Sequence, residues 1–298
     1  MATRGLFCPA GSARDCVRGR GVAGVWLELL GLAALGFAVG TYGTIIGLGG
    51  GFILVPVLLF LYPGYGPEKF TAISLAVVWA NTTSGSIAYA RQRRIDYLTG
   101  VIFAAASGPG VVAGAFLVHE VPERAFILIF AVLLTGLGLL SLQGRTLRVR
   151  APLRGRGVLR RSFDTPEGTY QYAYRVWQGV LLSVGVGFLS SLLGIGGGAI
   201  NVPAMIMWLH VPVQFAVATS QFILVFMSGG ATIVHLADGT LGGDQLTKAL
   251  ALGAGTVPGA QVGALIGRRL RGRTTLLLLG VALFGLSARL LMKGLLGV

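Results

Sequence analysis

The chain has 298 residues, of which 54% are hydrophobic and 11% charged, and its mean hydropathy of +0.79 excludes a soluble globular domain. Its formal charge is +14, but the arginines sit in clusters between apolar runs. That placement excludes a nucleic-acid-binding protein and matches the positive-inside pattern of membrane proteins.

Residues 1–21 read as a basic tail, and Cys8 and Cys16 within it match neither a metal nor a redox spacing. Arg4, Arg14, Arg18 and Arg20 ahead of an apolar run mimic a signal peptide, but no small-residue cleavage site with a polar start follows. The run is therefore expected as a retained first helix, 24–46. A glycine break follows at Gly47-Leu48-Gly49-Gly50-Gly51, then a short second helix at 52–62 and a turn at Tyr62–Pro67. Helix 3 is expected over 69–90, ending at Arg91-Gln92-Arg93-Arg94, helix 4 over 97–118, a loop at His119–Glu123, and then helix 5, ending near Leu142. A polar, arginine-rich connector spans 144–174, with Arg145, Arg148, Arg150, Arg154, Arg156, Arg160 and Arg161. Helix 6 at 176–193 then meets a second break, Gly194-Ile195-Gly196-Gly197-Gly198, before a short helix 7 at 199–209. Helices 8, 9 and 10 fall at 214–236, 246–267 and 274–295.

The second break repeats the first 147 positions later, and each is followed by a proline, Pro56 or Pro203. Ala72-Ile73-Ser74 matches Ala218-Thr219-Ser220 at an offset of 146, and Pro109-Gly110 matches Pro258-Gly259 at an offset of 149. The fold class is therefore an all-α polytopic membrane protein of about ten helical segments. They form two five-segment repeats, 22–143 and 175–298, joined by the connector 144–174. A β-barrel is excluded because the apolar runs do not alternate. Five segments is an odd number, so the repeats enter the membrane from opposite sides. Arg91–Arg94, the connector and Arg268–Arg273 then share one side, expected to be cytoplasmic in a cell inner or plasma membrane. The basic N-terminal tail falls on the other side, against that rule. Helix 2 has about 11 residues where a crossing needs about 20, so both a full crossing and a re-entrant segment stay open.

Glycine lacks a Cβ, so these runs let a helix unwind and a backbone approach a ligand closely. Freed backbone groups at membrane depth must face protein or a watery cavity. Helices 2 and 7 begin at the breaks, so each presents unpaired N–H groups and the positive end of a helix dipole. Two inverted repeats aim two such ends at one central site, which suits an anion. Close packing of small residues is the structural alternative. The candidate substrate-binding set is Gly47, Gly49, Gly50, Gly51, Gly194, Gly196, Gly197, Gly198, Asn201, Ser74, Ser220 and Gln221. Asn81, Thr82, Thr83, Ser84 and Ser228 are further polar side chains at membrane depth. The pairs Gly110/Gly114, Gly259/Gly263 and Gly263/Gly267 have the spacing of helix-packing motifs.

Gly194-x-Gly196-x-x-Ala199 fits a dinucleotide-binding pattern but lacks its strand and βαβ context. Glu28, His235 and Arg289 are ionisable residues within expected helices, and His119, His210 and Lys69 read as loop or interfacial residues. No nucleophile–base pair, zinc-protease motif or paired membrane carboxylates mark an enzyme. No cofactor and no metal ligand set are expected. The partners expected are a small anion and the lipid bilayer, with a homo-oligomer compatible and no nucleic acid.

The doubled Gly-x-Gly-Gly-Gly runs with Pro56 and Pro203, Ala218-Thr219-Ser220 and the Pro-Gly pairs resemble the TauE/SafE family of sulfite and organosulfonate exporters. The resemblance covers about residues 22–296. It implies a secondary transporter of small sulfur-containing or other organic anions that uses the proton gradient. Helix 3 departs from the family by carrying Ala72-Ile73-Ser74 where Thr-Ser is usual. A passive anion channel is the alternative, and an intramembrane enzyme stands behind it.

Overall fold

A computed structural model describes residues 13–62, 64–142, 157–165, 168–270 and eight positions between 274 and 285. Expectations for Cys8, the first part of the tail, Pro63, the connector arginines 145–156, Arg289 and most of helix 10 lie outside the described residues.

The elements, in chain order, are α1 (Ala13–Ile46), α2 (Gly51–Leu61), α3 (Pro67–Arg91), α4 (Tyr97–Leu117), a 3-10 turn (Val118–Glu120) and α5 (Glu123–Leu142). Then come β1 (Val158–Thr165), β2 (Gly168–Arg175), α6 (Val176–Leu193), α7 (Gly198–Met207), α8 (Val213–Ala237) and α9 (Gly243–Arg269). The described positions of 274–285 are helical, and Leu278 O accepts a hydrogen bond from the Tyr42 hydroxyl at 2.7 Å. The chain is an all-α polytopic membrane protein: five helices among the described residues are long and apolar enough to span a bilayer. Large apolar side chains such as Leu30, Val132, Leu181, Leu250 and Leu265 are exposed on its surface, a belt that lipid would cover.

Two expectations need correction. The basic stretch from Ala13 is not a tail but the first turns of α1, where Ala and Arg are good helix formers. The second part of the polar connector is an antiparallel β-hairpin, with Arg161 opposite Tyr172 and Phe163 opposite Tyr170. Tyr172 and Tyr174 stand two positions apart, the period that places side chains on one face of a strand.

Side-chain contacts decide the course of the short helices. The Tyr62 hydroxyl at the end of α2 donates to Glu28 Oε1 at 2.9 Å, and Glu28 lies about 27 Å along α1 from that helix's end. Helix α2 therefore runs back beside α1 to the face from which α1 came. In the second half, Trp177 and Leu181 of α6 share a groove with Met207, Trp208 and His210 at the end of α7, so α7 also returns to its starting face. Both short helices are re-entrant. Tyr65, just past α2, meets Asp244 and Lys248 in the first turns of α9. Gln92, just past α3, donates to Ala264 O near the end of α9 at 3.1 Å. One face thus carries the starts of α1, α3 and α9. The other, Arg-rich face carries Arg91, Arg93, Arg94, the hairpin, Arg268 and Arg269.

The helices pack in pairs that interchange when the halves are exchanged. Helix α1 lies on α9 as α6 lies on α4, α3 packs on α9 as α8 packs on α4, and α3 crosses α8 at the centre. Glycines allow these approaches: a Cβ at Gly110 would stand 2.1 Å from Val184 O, and one at Gly263 would stand 2.3 Å from Thr41 O.

Candidate functional site

The glycine runs are where α1 and α6 stop. Gly47, Gly49 and Gly50 have φ of 79°, 73° and 88°, and Gly194, Gly196 and Gly197 have 70°, 81° and 84°. Any other residue would be strained in this left-handed conformation. The turn closes by Leu48 N–H to Gly43 O at 2.8 Å in the first copy and Ile195 N–H to Ser190 O at 3.2 Å in the second. Gly50 O then accepts from Ile53 and Leu54, and Gly197 O from Ile200 and Asn201, which starts α2 and α7. The amides of Gly51, Phe52, Gly198 and Ala199 have no hydrogen-bond partner among the described residues. All four residues are buried, so two helix N-termini with free donors lie inside the protein.

The two breaks touch. A Cβ at Gly51 would stand 2.6 Å from Gly194 O, and one at Gly198 would stand 2.5 Å from Leu48 Cα. The central helices tie each break to the other half of the molecule. Ser74 of α3 donates to Gly194 O at 2.6 Å, and Ser220 of α8 donates to Gly47 O at 3.2 Å. The departure Ala72-Ile73-Ser74 therefore keeps its hydroxyl contact. Gln221 Nε2 lies 3.4 Å from Gly43 O, while its Oε1 is buried without a partner. Asn201 stays within its own half, its Nδ2 3.7 Å from Met227 Sδ and its Oδ1 also buried without a partner. Such an orphan acceptor costs about 1–3 kcal/mol, so each calls for an explanation.

The structure thus gathers Gly47, Gly49, Gly50, Gly51, Ser74, Gly194, Gly196, Gly197, Gly198, Asn201, Ser220 and Gln221 around the protein's centre, all of them buried. The predicted set lacks Asn81 and Thr44. Asn81 Nδ2 donates to Gly49 O at 3.1 Å, and its Oδ1 accepts from Thr44 Oγ1 at 3.3 Å. An Asn in hydrocarbon was the available signal. It was weak because its repeat partner, 146 positions on, is Met227.

A second polar cluster on the Arg-rich face gave no signal in the sequence. Asp96 caps α4 through the Thr99 amide at 3.3 Å and is completely buried. Its carboxylate takes both arms of Arg161, with Nη2 at 2.8 Å and Nε at 3.1 Å, and the Tyr172 hydroxyl at 2.5 Å. Its own amide donates to Thr219 Oγ1 of α8 at 3.0 Å. Phe163 of β1 lies 4.8 Å, ring to ring, from Phe215 of α8. The hairpin is thereby fastened over the start of α8, the helix that carries Ser220 and Gln221. Burial raises the Tyr172 hydroxyl far above its ordinary value, and the Asp96 charge adds to this. Burial pushes Tyr174 up to about 12, partly offset by its bond to Thr99. Both phenols are therefore neutral donors.

The sequence profile described as "Sulfite exporter TauE/SafE" matches residues 32–290. The chain is 32% identical over 274 residues to "Probable membrane transporter protein YunE" of Bacillus subtilis, a match covering 88% of this chain and 97% of that protein. It is 28% identical to a "Probable membrane transporter protein" of Xylella fastidiosa, over 79% of this chain and 82% of the relative. It is 27% identical to "Probable membrane transporter protein MJ0441" of Methanocaldococcus jannaschii, over 71% of this chain and 73% of the relative. No solved structure matches. The paired breaks, the central helices that bind them and a match over nearly the whole chain agree: this protein is a membrane transporter of the TauE/SafE sulfite exporter family.

Proposed function

We propose that the protein is a secondary-active transporter of small anions, of the sulfite, organosulfonate or organic-acid type, working by alternating access around its two glycine breaks. The observation that carries this reading is the pair of buried helix N-termini with unpartnered amides, beside the orphan oxygens of Asn201 and Gln221. Backbone N–H groups at a helix start favour negative charge. Side-chain amides present either their donor or their acceptor end by turning over. The breaks meet through backbone, and hydroxyls from α3 and α8 hold each to the opposite half. Rocking one half against the other opens this seam towards either face in turn.

Side chains at the breaks, such as Ser74, Asn81, Thr82, Ser220 and Gln221, are uncharged. In this reading a coupled proton travels on the anion as its acidic form. The Arg-rich face is cytoplasmic by the positive-inside rule, in a cell inner or plasma membrane.

The test is flux into proteoliposomes of sulfite, thiosulfate, sulfoacetate and simple carboxylates, with and without a pH gradient. At least one anion should accumulate against its gradient, and replacing Gly196 or Gly197 with Leu should abolish this while the protein still inserts. Flux that only runs down its own gradient, whatever the pH, would instead make the protein a passive channel. Unchanged accumulation in the glycine variants would reject the breaks as the site.

A further inference from the structure

Three side chains meet on the face away from the hairpin. His119 comes from the 3-10 turn after α4, His235 from the last turn of α8, and Asp238 from the residue that follows α8. One ligand atom from each lies within 4.8 Å of the others. Asp238 Oδ2 is 3.3 Å from His119 Nε2 and 3.5 Å from His235 Nδ1. Asp238 Oδ1 is occupied by the Thr240 amide at 2.8 Å, which fixes the carboxylate so that Oδ2 points at both rings.

His235 is the informative member. Its side chain is wholly buried, yet neither ring nitrogen has a hydrogen-bond partner. The 3.5 Å approach to Asp238 lies beyond the 2.7–3.2 Å of an ordinary hydrogen bond to nitrogen. A histidine kept only for packing or for a His–Asp bond would satisfy at least one nitrogen, because burying an imidazole with both bare is costly. A metal ligand needs a bare nitrogen.

We propose that His119, His235 and Asp238 form a binding site for a divalent transition-metal cation of the zinc type. Two imidazoles and a carboxylate are a ligand set that zinc accepts, with bonds of about 2.0–2.2 Å. A tetrahedron with such bonds has edges of about 3.3–3.6 Å, and both imidazole–carboxylate separations fall in this range. His119 and Asp238 are partly exposed, at 35% and 20%, so the fourth position opens to solvent for water or an anion. Harder cations such as magnesium prefer all-oxygen sites and fit poorly. Histidine 119 belongs to the first half of the chain, and His235 and Asp238 to the second. A bound ion therefore fastens the two halves at the face opposite the hairpin.

The experiment uses tag-free, full-length protein in detergent, stripped with a chelator and then titrated with Zn2+, and with Co2+ as a spectroscopic probe. Wild-type protein should bind one Zn2+ per chain, and its Co2+ form should show the intense visible bands of a tetrahedral N/O site. His119→Ala and Asp238→Asn, both at a surface turn, should lower affinity at least tenfold while the protein stays monodisperse. Absence of Zn2+ after desalting would overturn the proposal. So would equal binding by wild type and both variants, which would place the ion elsewhere, for instance at Cys8 and Cys16. Because binding is measured directly, the result is independent of which anion, if any, is transported.

Discussion

Replacing Gly198 with alanine tests whether contact between the two breaks matters. Gly198 begins α7 and has no left-handed φ, so alanine adds one methyl group and no backbone strain. That methyl would stand 2.5 Å from Leu48 Cα and 2.7 Å from Gly47 O, where ordinary contact is 3.4–4 Å. Both neighbours are backbone, so no side chain can swing aside, and the breaks must part by about an ångström. Overpacking of this kind costs about 1–3 kcal/mol. The gain from a better helix former is at most about 1 kcal/mol, and less at a first position. The net effect should be a loss of about 1–2 kcal/mol, lowering the apparent Tm in detergent by several degrees. Anion flux should fall more than stability does, because the seam itself has moved. Gly31→Ala in α1 is the control: no atom lies within 4 Å of its added methyl, so Tm should hold or rise slightly. If Gly198→Ala matches Gly31→Ala in both Tm and flux, the packing of the breaks plays no part in transport.

Asn201→Leu should separate stability from binding. It removes a buried oxygen that has no partner and installs the residue found at the repeat-related position, Leu54, so Tm should hold or rise. Anion affinity, read by calorimetry, should fall at least tenfold, and unchanged affinity would remove Asn201 from the site. Arg161→Gln should loosen the hairpin, because it leaves the buried Asp96 carboxylate without its counter-charge, a change that costs about 3–5 kcal/mol for a buried pair. Limited proteolysis should then cut within 157–175 much faster than in wild type, and an unchanged cleavage pattern would show that other contacts hold the hairpin.

The membrane class, the helices and both breaks were legible in the sequence because their signals are local. A bilayer demands long uncharged runs, and a helix that must stop and turn within one demands glycines such as Gly50 and Gly197, which are left-handed in the structure. The duplication made the eight glycines, Ser74 and Ser220 recognisable as a set, since each half annotates the other. Tertiary structure alone decided that α2 and α7 turn back, because 11 and 10 apolar residues satisfy either course; Tyr62 on Glu28 distinguishes them for α2, and the groove that α7 shares with Trp177 and Leu181 does so for α7. The same holds for the hairpin's hold on Asp96 and for the meeting of His119 with His235 and Asp238. Those contacts join positions 65 and about 119 residues apart, outside the repeat register, and a sequence pattern carries no trace of a distance closed only by folding.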